Sequence, residues 1–202
     1  MQVAIIGTGN VGTALAQALR RAGHKVVFGT RAPEPGSVDR TGISKAVRQA
    51  DVTILAVPFG AVPQVVAAAD GFAGKVLIDA TNPLGMVEGG LGLTMGFDTS
   101  GAEKIAAMAP QALVFKTFNQ TGFENMADAS GYAARPVIFV AGDDAASKPA
   151  VLALAADAGF EAIDAGGLRA ARLLEPFAML WIELARKRGL GSDFTFALQR
   201  KV

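Results

Sequence analysis

The fold is decided by residues 3–12, which read VAIIGTGNVG. Residues 3–6 are apolar, and a glycine-rich turn with the spacing GxGxxG follows them directly. The alanine- and leucine-rich residues 10–21 then predict a helix that ends before Gly23, because glycine is a good helix terminator. A strand, such a turn and a helix in this order are typical of the phosphate-binding start of a Rossmann unit.

The three glycines have different roles in such a turn. Gly7 permits the tight turn, Gly9 lets a pyrophosphate approach the backbone, and Gly12 lets the helix pack closely on the strand. Free N–H groups at the start of the helix would bind the phosphates, whereas a tight turn without a ligand is the alternative. The predicted cofactor-binding loop consists of Gly7, Thr8, Gly9, Asn10, Val11 and Gly12.

The end of the second predicted strand, Gly29-Thr30-Arg31, distinguishes NADP from NAD. An NAD site usually carries Asp or Glu here, which accepts hydrogen bonds from the ribose 2′-hydroxyl. This chain has no carboxylate at that point, and Arg31 offers a guanidinium that suits a 2′-phosphate. We therefore predict NADP(H) bound by Thr30 and Arg31, with an ordinary solvated arginine as the alternative for Arg31.

Strand and helix signals alternate along the chain. This alternation predicts an α/β fold of Rossmann type, with a doubly wound, mostly parallel sheet and a C-terminal helix. Ser100 and Glu103 have the spacing of a capping box and open one of the helices. Strands are predicted at residues 3–6, 25–28, 52–57, 75–79, 112–117, 136–141 and 160–163, and helices at 10–21, 43–50, 63–69 and 100–108.

The whole chain, residues 1–202, is predicted to be a single NADP(H)-binding domain, with residues 166–202 as a C-terminal helical extension. Residues 84–99 contain five glycines without periodicity and are predicted to be a loop. An apolar stripe then indicates one long amphipathic helix, which either packs on its own sheet or forms a dimer or substrate face. The stripe consists of Leu173, Leu174, Phe177, Leu180, Trp181 and Leu184.

Charge and composition exclude several classes of function. The formal net charge is +1, so nothing favours binding to nucleic acid or to an anionic membrane. The absence of cysteine excludes disulfides, thiolate catalysis and cysteine-ligated metals, and we predict no metal site. No apolar run reaches the roughly 18 residues of a membrane span, and the N-terminus lacks a basic leader, so we expect a cytoplasmic protein.

Ligands of open α/β sheets bind beyond the carboxyl ends of the strands, near the point where the strand order reverses. Segments 56–59, 79–83 and 116–122 follow predicted strands and should meet there. Asn82 precedes a proline and is also typical of a plain turn, and for Asn119 ligand binding and local capping are equally open. The predicted lining consists of Ala56, Val57, Pro58, Asn82, Asn119, Thr121 and Gly122.

No catalytic acid or base is predicted. The only histidine, His24, lies at the amino end of the second predicted strand, away from this edge. Lys116 has no partner close in sequence, and Glu175 is equally consistent with a solvated or a capping residue. Hydride transfer between two redox cofactors can proceed by positioning alone, because the cofactors carry the chemistry.

Six short motifs occur in an order that resembles a known family. They resemble the NADPH-dependent reductases of the deazaflavin coenzyme F420. They are also similar to the cytoplasmic domain of the six-transmembrane epithelial metalloreductases, which pass hydride from NADPH to a flavin. The motifs are IIGTGNVG at 5–12, FGTR at 28–31, LAVP at 55–58, KTFN at 116–119, AGDD at 141–144 and DAGGL at 164–168.

The resemblance implies a role for each part of the site. The glycine loop and residues 30–31 would bind the adenosine end and its 2′-phosphate, and residues 57–58 would line the cofactor past the pyrophosphate. Residues 119–122 would border the nicotinamide and the acceptor ring, and residues 166–175 would lie near the second cofactor or a partner subunit.

One departure separates the chain from the archaeal reductases. Those enzymes carry a histidine and a proline in the segment that matches residues 119–122, where this chain has Asn119 and Gly122. This form is closer to that of the metalloreductases. The departure leaves the identity of the hydride acceptor open.

The expected function is therefore an NADP(H)-dependent oxidoreductase that transfers hydride between NADPH and a flavin or a deazaflavin of the coenzyme F420 type. The glycines at Gly122 and at 166–167 favour this hypothesis, because they leave room for a flat ring. The alternatives are an NADP(H)-binding sensor without turnover and a small-molecule reductase of related fold, which would need a proton donor. The expected partners are a small-molecule redox acceptor and a second copy of the chain in a homodimer.

Overall fold

The computed structural model describes residues 1–33 and 36–201. Its strands are β1 (Gln2–Ile6), β2 (Lys25–Thr30), β3 (Arg40–Gly42), β4 (Val52–Leu55), β5 (Val76–Asp79), β6 (Leu84–Val87), β7 (Gly90–Leu93), β8 (Leu113–Lys116), β9 (Val137–Gly142) and β10 (Glu161–Asp164). Its α-helices are α1 (Asn10–Arg21), α2 (Ile43–Gln49), α3 (Val62–Ala68), α4 (Gly101–Met108), α5 (Phe123–Ala127), α6 (Lys148–Asp157) and α7 (Ala171–Ile182).

A single sheet with the strand order β10-β9-β8-β5-β4-β1-β2-β3 runs through the centre of the molecule. The chain winds outwards from β1 to β2 and β3, and then returns to β4 on the other side of β1. The strand order therefore reverses between β1 and β4, which pair in parallel. This sheet confirms the predicted Rossmann-type, mostly parallel fold.

Helices cover both faces of the sheet. One apolar cluster lies under α1 and α6, and includes Leu15, Phe28 and Leu154. The other lies under α2, α3 and α4, and includes Val47, Val65 and Ile105. Burial of both faces explains why the central strands are continuous apolar runs rather than alternating ones.

The capping box at the start of α4 is confirmed. The Ser100 hydroxyl accepts a hydrogen bond from the Glu103 N–H at 3.2 Å, and it donates one to the Glu103 carboxylate at 2.7 Å. Arg172 of α7 binds the same carboxylate through two guanidinium nitrogens. The side chain that starts α4 therefore also joins it to α7.

The prediction of a loop at residues 84–99 is wrong for its first part. The segment forms the hairpin β6–β7, in which Leu84 pairs with Leu93 and Val87 with Gly90. Glycine-rich strands have little β-propensity of their own, so the local sequence gave no strand signal. The hairpin packs against α7, which is a contact that only the tertiary structure supplies.

The last two strands are the part of the mostly parallel sheet that runs in the opposite direction. β9 is antiparallel to β8, and β10 is parallel to β9. The carboxyl ends of β9 and β10 therefore point away from the edge at which β1, β4, β5 and β8 end. Short β3 and α5 were not predicted either, since three to five residues carry too little periodicity.

The C-terminal extension is helical only in part. α7 continues into a π-helical turn at Glu183–Lys187, and from 189 to 201 the described chain has no helix or strand. This tail folds back over α7, where the Phe194 ring stacks on Trp181 with centroids 5.3 Å apart. Across residues 1–33 and 36–201, no helix is long and apolar enough to cross a membrane.

Candidate functional site

A pocket of about 420 Å³ lies at the point where the strand order reverses; we call it the glycine-loop pocket. Segments that follow β1, β2 and β4 form its walls, as the rule for open sheets predicts. It is also lined by Ala61, Gln64 and Val65, which the sequence analysis did not identify. The predicted site residues that it brings together are Gly7, Thr8, Gly9, Thr30, Arg31, Ala56, Val57 and Pro58.

The three glycines of the loop have the steric environments that the motif predicts. A Cβ on Gly7 would lie 2.2 Å from the Ala56 carbonyl oxygen, and Gly7 also has a positive φ of 120°. A Cβ on Gly12 would lie 2.1 Å from the Gly7 carbonyl oxygen. Gly9 has open space in the same direction, with no atom within 4 Å among the described residues. The loop is therefore closed at Gly7 and Gly12, and open at Gly9.

The start of α1 offers unused donors. Gly9 is the N-cap residue, no side chain caps the helix, and no acidic residue lies in its first turn. The first backbone hydrogen bond of the helix joins the Thr13 N–H to the Gly9 carbonyl. The N–H groups of residues 10–12 thus have no acceptor within the helix, and the helix dipole adds positive potential there.

Two further polar groups of this pocket lack partners. The Thr30 hydroxyl oxygen is buried, yet it has no hydrogen-bond partner among the described residues. Arg31 is exposed and forms no ion pair within the described ranges. A buried hydroxyl without a partner costs free energy, so a ligand that supplies one would stabilise this end of the pocket.

A second pocket of about 200 Å³ lies on the other side of the α1 N-terminus; we call it the Trp181 pocket. Val11 of the glycine loop lines it, whereas Thr8 and Gly9 line the first pocket. The first turn of α1 therefore lies between the two pockets, and residues at its start line both of them. The predicted residues found in the Trp181 pocket are Val11, Asn82, Asn119, Thr121 and Gly122.

The asparagines of this pocket bind each other. The Asn119 amide donates to the Asn82 side-chain oxygen at 3.0 Å and to the Leu174 carbonyl at 3.1 Å. Its own oxygen accepts from Gln120 at 2.9 Å, and Asn82 donates to the Asn119 carbonyl. The Asn119 side chain is therefore held within the protein by two residues that are distant in the chain, which use both of its N–H groups.

The backbone beside Asn119 is strained. Phe118 has a positive φ of 61° and is completely buried. Bulky residues rarely adopt this left-handed conformation, which is found where the surroundings enforce it and often at functional sites. The turn after β8 is thus held in one shape by packing around the Phe118 ring.

A buried ion network supports the same edge. The Lys116 ammonium binds the Asp79 carboxylate at 2.8 Å and the Glu175 carboxylate at 3.1 Å, and it is 0% exposed. Glu175 also accepts from the backbone N–H groups of Gly101 and Ala102 at the start of α4. Lys116 has no partner close in sequence, as expected, and its two carboxylate partners lie 37 and 59 positions away in the chain.

The glycines expected to leave room for a flat ring do not do so. A Cβ on Gly122 would lie 2.6 Å from both the Trp181 ring and the Glu124 carboxylate, so that space is filled. Gly167 faces Asp143 in the same way, and the Gly166 carbonyl accepts a hydrogen bond from the Gly142 N–H at the ends of β9 and β10. Because β9 and β10 run in reverse, residues 166–167 lie away from the Trp181 pocket, whereas the Leu174 carbonyl binds Asn119 of that pocket.

Several residues of the Trp181 pocket were missed by the sequence analysis, among them Glu124, Trp181 and Arg186. Next to Glu124, the Tyr132 hydroxyl donates to Asn125 at 2.5 Å. Burial raises the pKa of Tyr132, with smaller contributions from the nearby carboxylates, so its phenol stays neutral. A glutamate in the first turn of a short helix is common, and no local signal marks Glu124 as special.

His24 lies far from both pockets, as predicted. Its ring contacts Asp157 at 3.0 Å and the N-terminal amine at 3.3 Å. These contacts join the turn before β2 to the end of α6. The histidine is therefore part of the structure at the amino edge of the sheet.

The chain matches the model of one protein family. The family is described as NADP oxidoreductase, coenzyme F420-dependent, and the match covers residues 2–83. The F420-dependent NADP reductase of Methanothermobacter marburgensis is 32% identical over 211 residues, which cover 91% of this chain and 92% of that protein.

Two further proteins are similar to this chain over most of its length. Metalloreductase STEAP3 of Rattus norvegicus is 29% identical over 86% of this chain, but the chain spans only 36% of that protein's length. A crystal structure from Arthrobacter sp. FB24, of a protein thought to be an F420-dependent NADP-reductase, has a TM-score of 0.87 at 30% sequence identity. That comparison covers 99% of this chain and 100% of the other.

Proposed function

Because the chain belongs to the family of coenzyme F420-dependent NADP oxidoreductases, we propose that it transfers hydride between NADPH and a flavin or deazaflavin acceptor. NADPH supplies the hydride and becomes NADP⁺, and the oxidised ring of the acceptor takes up the hydride together with a proton from water. The protein's part is to bind both molecules and to orient them.

The glycine-loop pocket fits NADP(H). The space beside Gly9 admits a pyrophosphate to the backbone, and the free N–H groups of residues 10–12 suit its charge. The Thr30 hydroxyl and the Arg31 guanidinium, for which the described residues supply no partner, suit a 2′-phosphate. Ala56, Val57 and Pro58 supply an apolar wall of the same pocket.

The observation that carries the proposal is the position of the two pockets beside the same turn of helix. Thr8 and Gly9 line the glycine-loop pocket and Val11 lines the Trp181 pocket. A dinucleotide whose pyrophosphate lies on this turn would have its adenosine in the first pocket and its nicotinamide at the second. The acceptor ring would then lie beside Asn82 and Thr121.

The contacts of Lys116, Glu175 and His24 support hydride transfer between cofactors. Lys116 and Glu175 are buried and bound to each other, so neither is available as a proton donor to a substrate. The only histidine lies at the other edge of the sheet. A reductase acting on a ketone or an imine would need a positioned donor, whereas hydride transfer to a ring of high electron affinity does not.

Cofactor choice is tested by the variant Arg31→Ala. Loss of one charge-assisted phosphate contact typically costs about 1.5–3 kcal/mol, so NADPH should bind roughly 10–100-fold more weakly. NADH affinity should stay unchanged, and Arg188→Ala, an exposed arginine far from the pocket, should affect neither. Isothermal titration gives all the dissociation constants. An equal loss for both nucleotides would refute the assignment to the 2′-phosphate.

The acceptor is tested by anaerobic oxidation of NADPH with FAD, FMN, riboflavin and coenzyme F420 offered separately. We expect turnover with at least one of the four. Tight binding of NADPH without any turnover would favour an NADP(H) sensor, or a small-molecule reductase, over the proposed enzyme.

We also propose that the chain forms a homodimer through α7 and the β6–β7 hairpin. In the single chain, Leu173 and Leu180 are 72% and 48% exposed, and Met86 of the adjoining hairpin is 80% exposed. Apolar side chains grouped in this way are typical of surfaces that a second subunit covers. Sedimentation velocity should give the mass of two chains at micromolar concentration, and Leu180→Glu should shift it towards one. A wild-type mass of one chain would refute the dimer.

A further inference from the structure

Two opposite charges line the Trp181 pocket without touching each other. Among the described residues that form this pocket, Glu124 and Arg186 are the charged ones. Neither takes part in an ion pair within residues 1–33 and 36–201, although Lys187 and Arg188, next to Arg186 in the chain, both pair with Glu183. A carboxylate and a guanidinium that face one small cavity and remain apart leave space for a ligand between them.

The Glu124 side chain is partly buried, but its carboxylate has no hydrogen-bond partner among the described residues. Its Oε2 atom is buried beside Gly122 and the Trp181 ring, and it has no hydrogen-bond partner among the described residues. Its Oε1 atom has no described partner either, and it is not among the buried atoms, so it keeps contact with solvent. An N–H donor from a ligand would offset part of the desolvation that burial imposes on this group.

The neighbouring polar side chains are not free to bind a ligand, because they already bind each other. Asn119 uses both of its N–H groups on Asn82 and Leu174, and its oxygen on Gln120. The Tyr132 hydroxyl is bound to Asn125. Glu124 is thus the strong acceptor that the pocket leaves for a ligand, and Arg186 is the strong donor.

We propose that Glu124 and Arg186 bind the acceptor by an edge that carries an N–H group next to a carbonyl, as the pyrimidinedione ring of flavins and deazaflavins does. Glu124 accepts the ring N–H and Arg186 donates to the carbonyl oxygen. Arg186 also stabilises the negative charge that the ring gains when it accepts a hydride. This inference rests on the proposed function and assigns the specificity of its second substrate.

The experiment compares riboflavin with N3-methylriboflavin, which lacks the ring N–H. Flavin fluorescence in the presence of NADP⁺ gives the dissociation constants for the wild type and for Glu124→Ala, Glu124→Gln and Arg186→Ala. Glu88→Ala and Lys187→Ala are the matched controls, because both are charged residues outside the pocket. Thermal unfolding and NADPH affinity verify that each variant is folded.

The ratio of the two dissociation constants is the decisive quantity. The wild type should prefer riboflavin about 10–100-fold, since a hydrogen bond to a charged group is lost in the methylated ring. Glu124→Ala should reduce this ratio to about one, and Glu124→Gln should give an intermediate value. Arg186→Ala should weaken both ligands and keep the ratio, and the controls should match the wild type.

Each contrary result has a distinct meaning. A ratio that is the same in wild type and Glu124→Ala overturns the role of Glu124, even if riboflavin is reduced. A loss of NADPH affinity in Glu124→Ala as large as the loss for riboflavin overturns it too, and assigns the carboxylate to the nicotinamide amide. NADPH binding without reduction of riboflavin, 5-deazariboflavin or coenzyme F420 would instead refute the proposed function itself.

Discussion

The glycine-loop pocket is shaped by the backbone, whereas the Trp181 pocket is shaped by side chains that distant partners hold. At Gly7 and Gly12 a single added carbon would collide with a carbonyl oxygen of the same small motif or of the adjoining strand end. In the Trp181 pocket, Asn119 is fixed by residues 37 and 55 positions away. The comparison teaches that one pocket can be encoded by a local motif, whereas its neighbour depends on contacts between distant parts of the chain.

The largest expected effect comes from the ion network behind the Trp181 pocket. Lys116→Met removes the cation from two buried carboxylates, which leaves Asp79 and Glu175 without their partner. Breaking one member of a buried ion network costs about 3–5 kcal/mol of unfolding free energy. Urea denaturation measures this loss, and Lys104→Met on the exposed side of α4 should change it little. If the stability of Lys116→Met stays within about 1 kcal/mol of wild type, which is roughly the effect of a surface substitution, the network is dispensable.

The glycine loop allows stability and binding to be separated. Gly9→Ala adds a carbon to open space, so it should cost less than about 1 kcal/mol in stability. The same carbon stands where a pyrophosphate would approach, and NADPH affinity should fall at least about tenfold. Gly12→Ala should lower both, because its Cβ would meet the Gly7 carbonyl and overpacking costs about 1–3 kcal/mol.

Thermal unfolding together with isothermal titration distinguishes these two glycine variants. If Gly9→Ala keeps full affinity for NADPH, the pyrophosphate does not lie over this loop. If Gly12→Ala is as stable as the wild type, α1 has room to move away from the loop, and the backbone shapes the first pocket less strictly than described.

The smallest expected effect concerns the contact between α4 and α7. The hydrogen bond from Arg172 lowers the pKa of Glu103, with Ser100 adding to the effect and burial opposing it. A carboxyl whose pKa is lower in the folded than in the unfolded protein stabilises the fold above its unfolded pKa of about 4.3. That contribution is lost as the pH falls through the folded pKa, and for this partly exposed pair it amounts to about 1 kcal/mol or less.

Melting curves between about pH 7 and pH 3 test this contact. Glu103→Gln should melt slightly below the wild type at pH 7, and the two curves should converge in acid. Glu88→Gln, in the exposed hairpin turn, serves as the control. A difference between Glu103→Gln and wild type that persists unchanged at pH 3 would assign the effect to packing rather than to charge.

The sequence by itself determined the first pocket and most of the sheet. Residues 3–12 predicted β1, the glycine turn and α1, because strand, turn and helix signals there are local and agree with one another. The apolar runs of β4, β5 and β8 predicted buried parallel strands for the same reason. Thr30 and Arg31 followed from their position at the end of β2, which the βαβ geometry fixes.

Only the tertiary structure decided the rest. The reversal of β9 and β10 depends on which sheet edge is free, and the β6–β7 hairpin depends on packing against α7. The partners of Lys116 and the empty hydrogen-bonding capacity of Glu124 are likewise set by residues far apart in the chain. Local propensity cannot encode such contacts, because the free energy that fixes them arises from burial and pairing between elements that meet after the chain has folded.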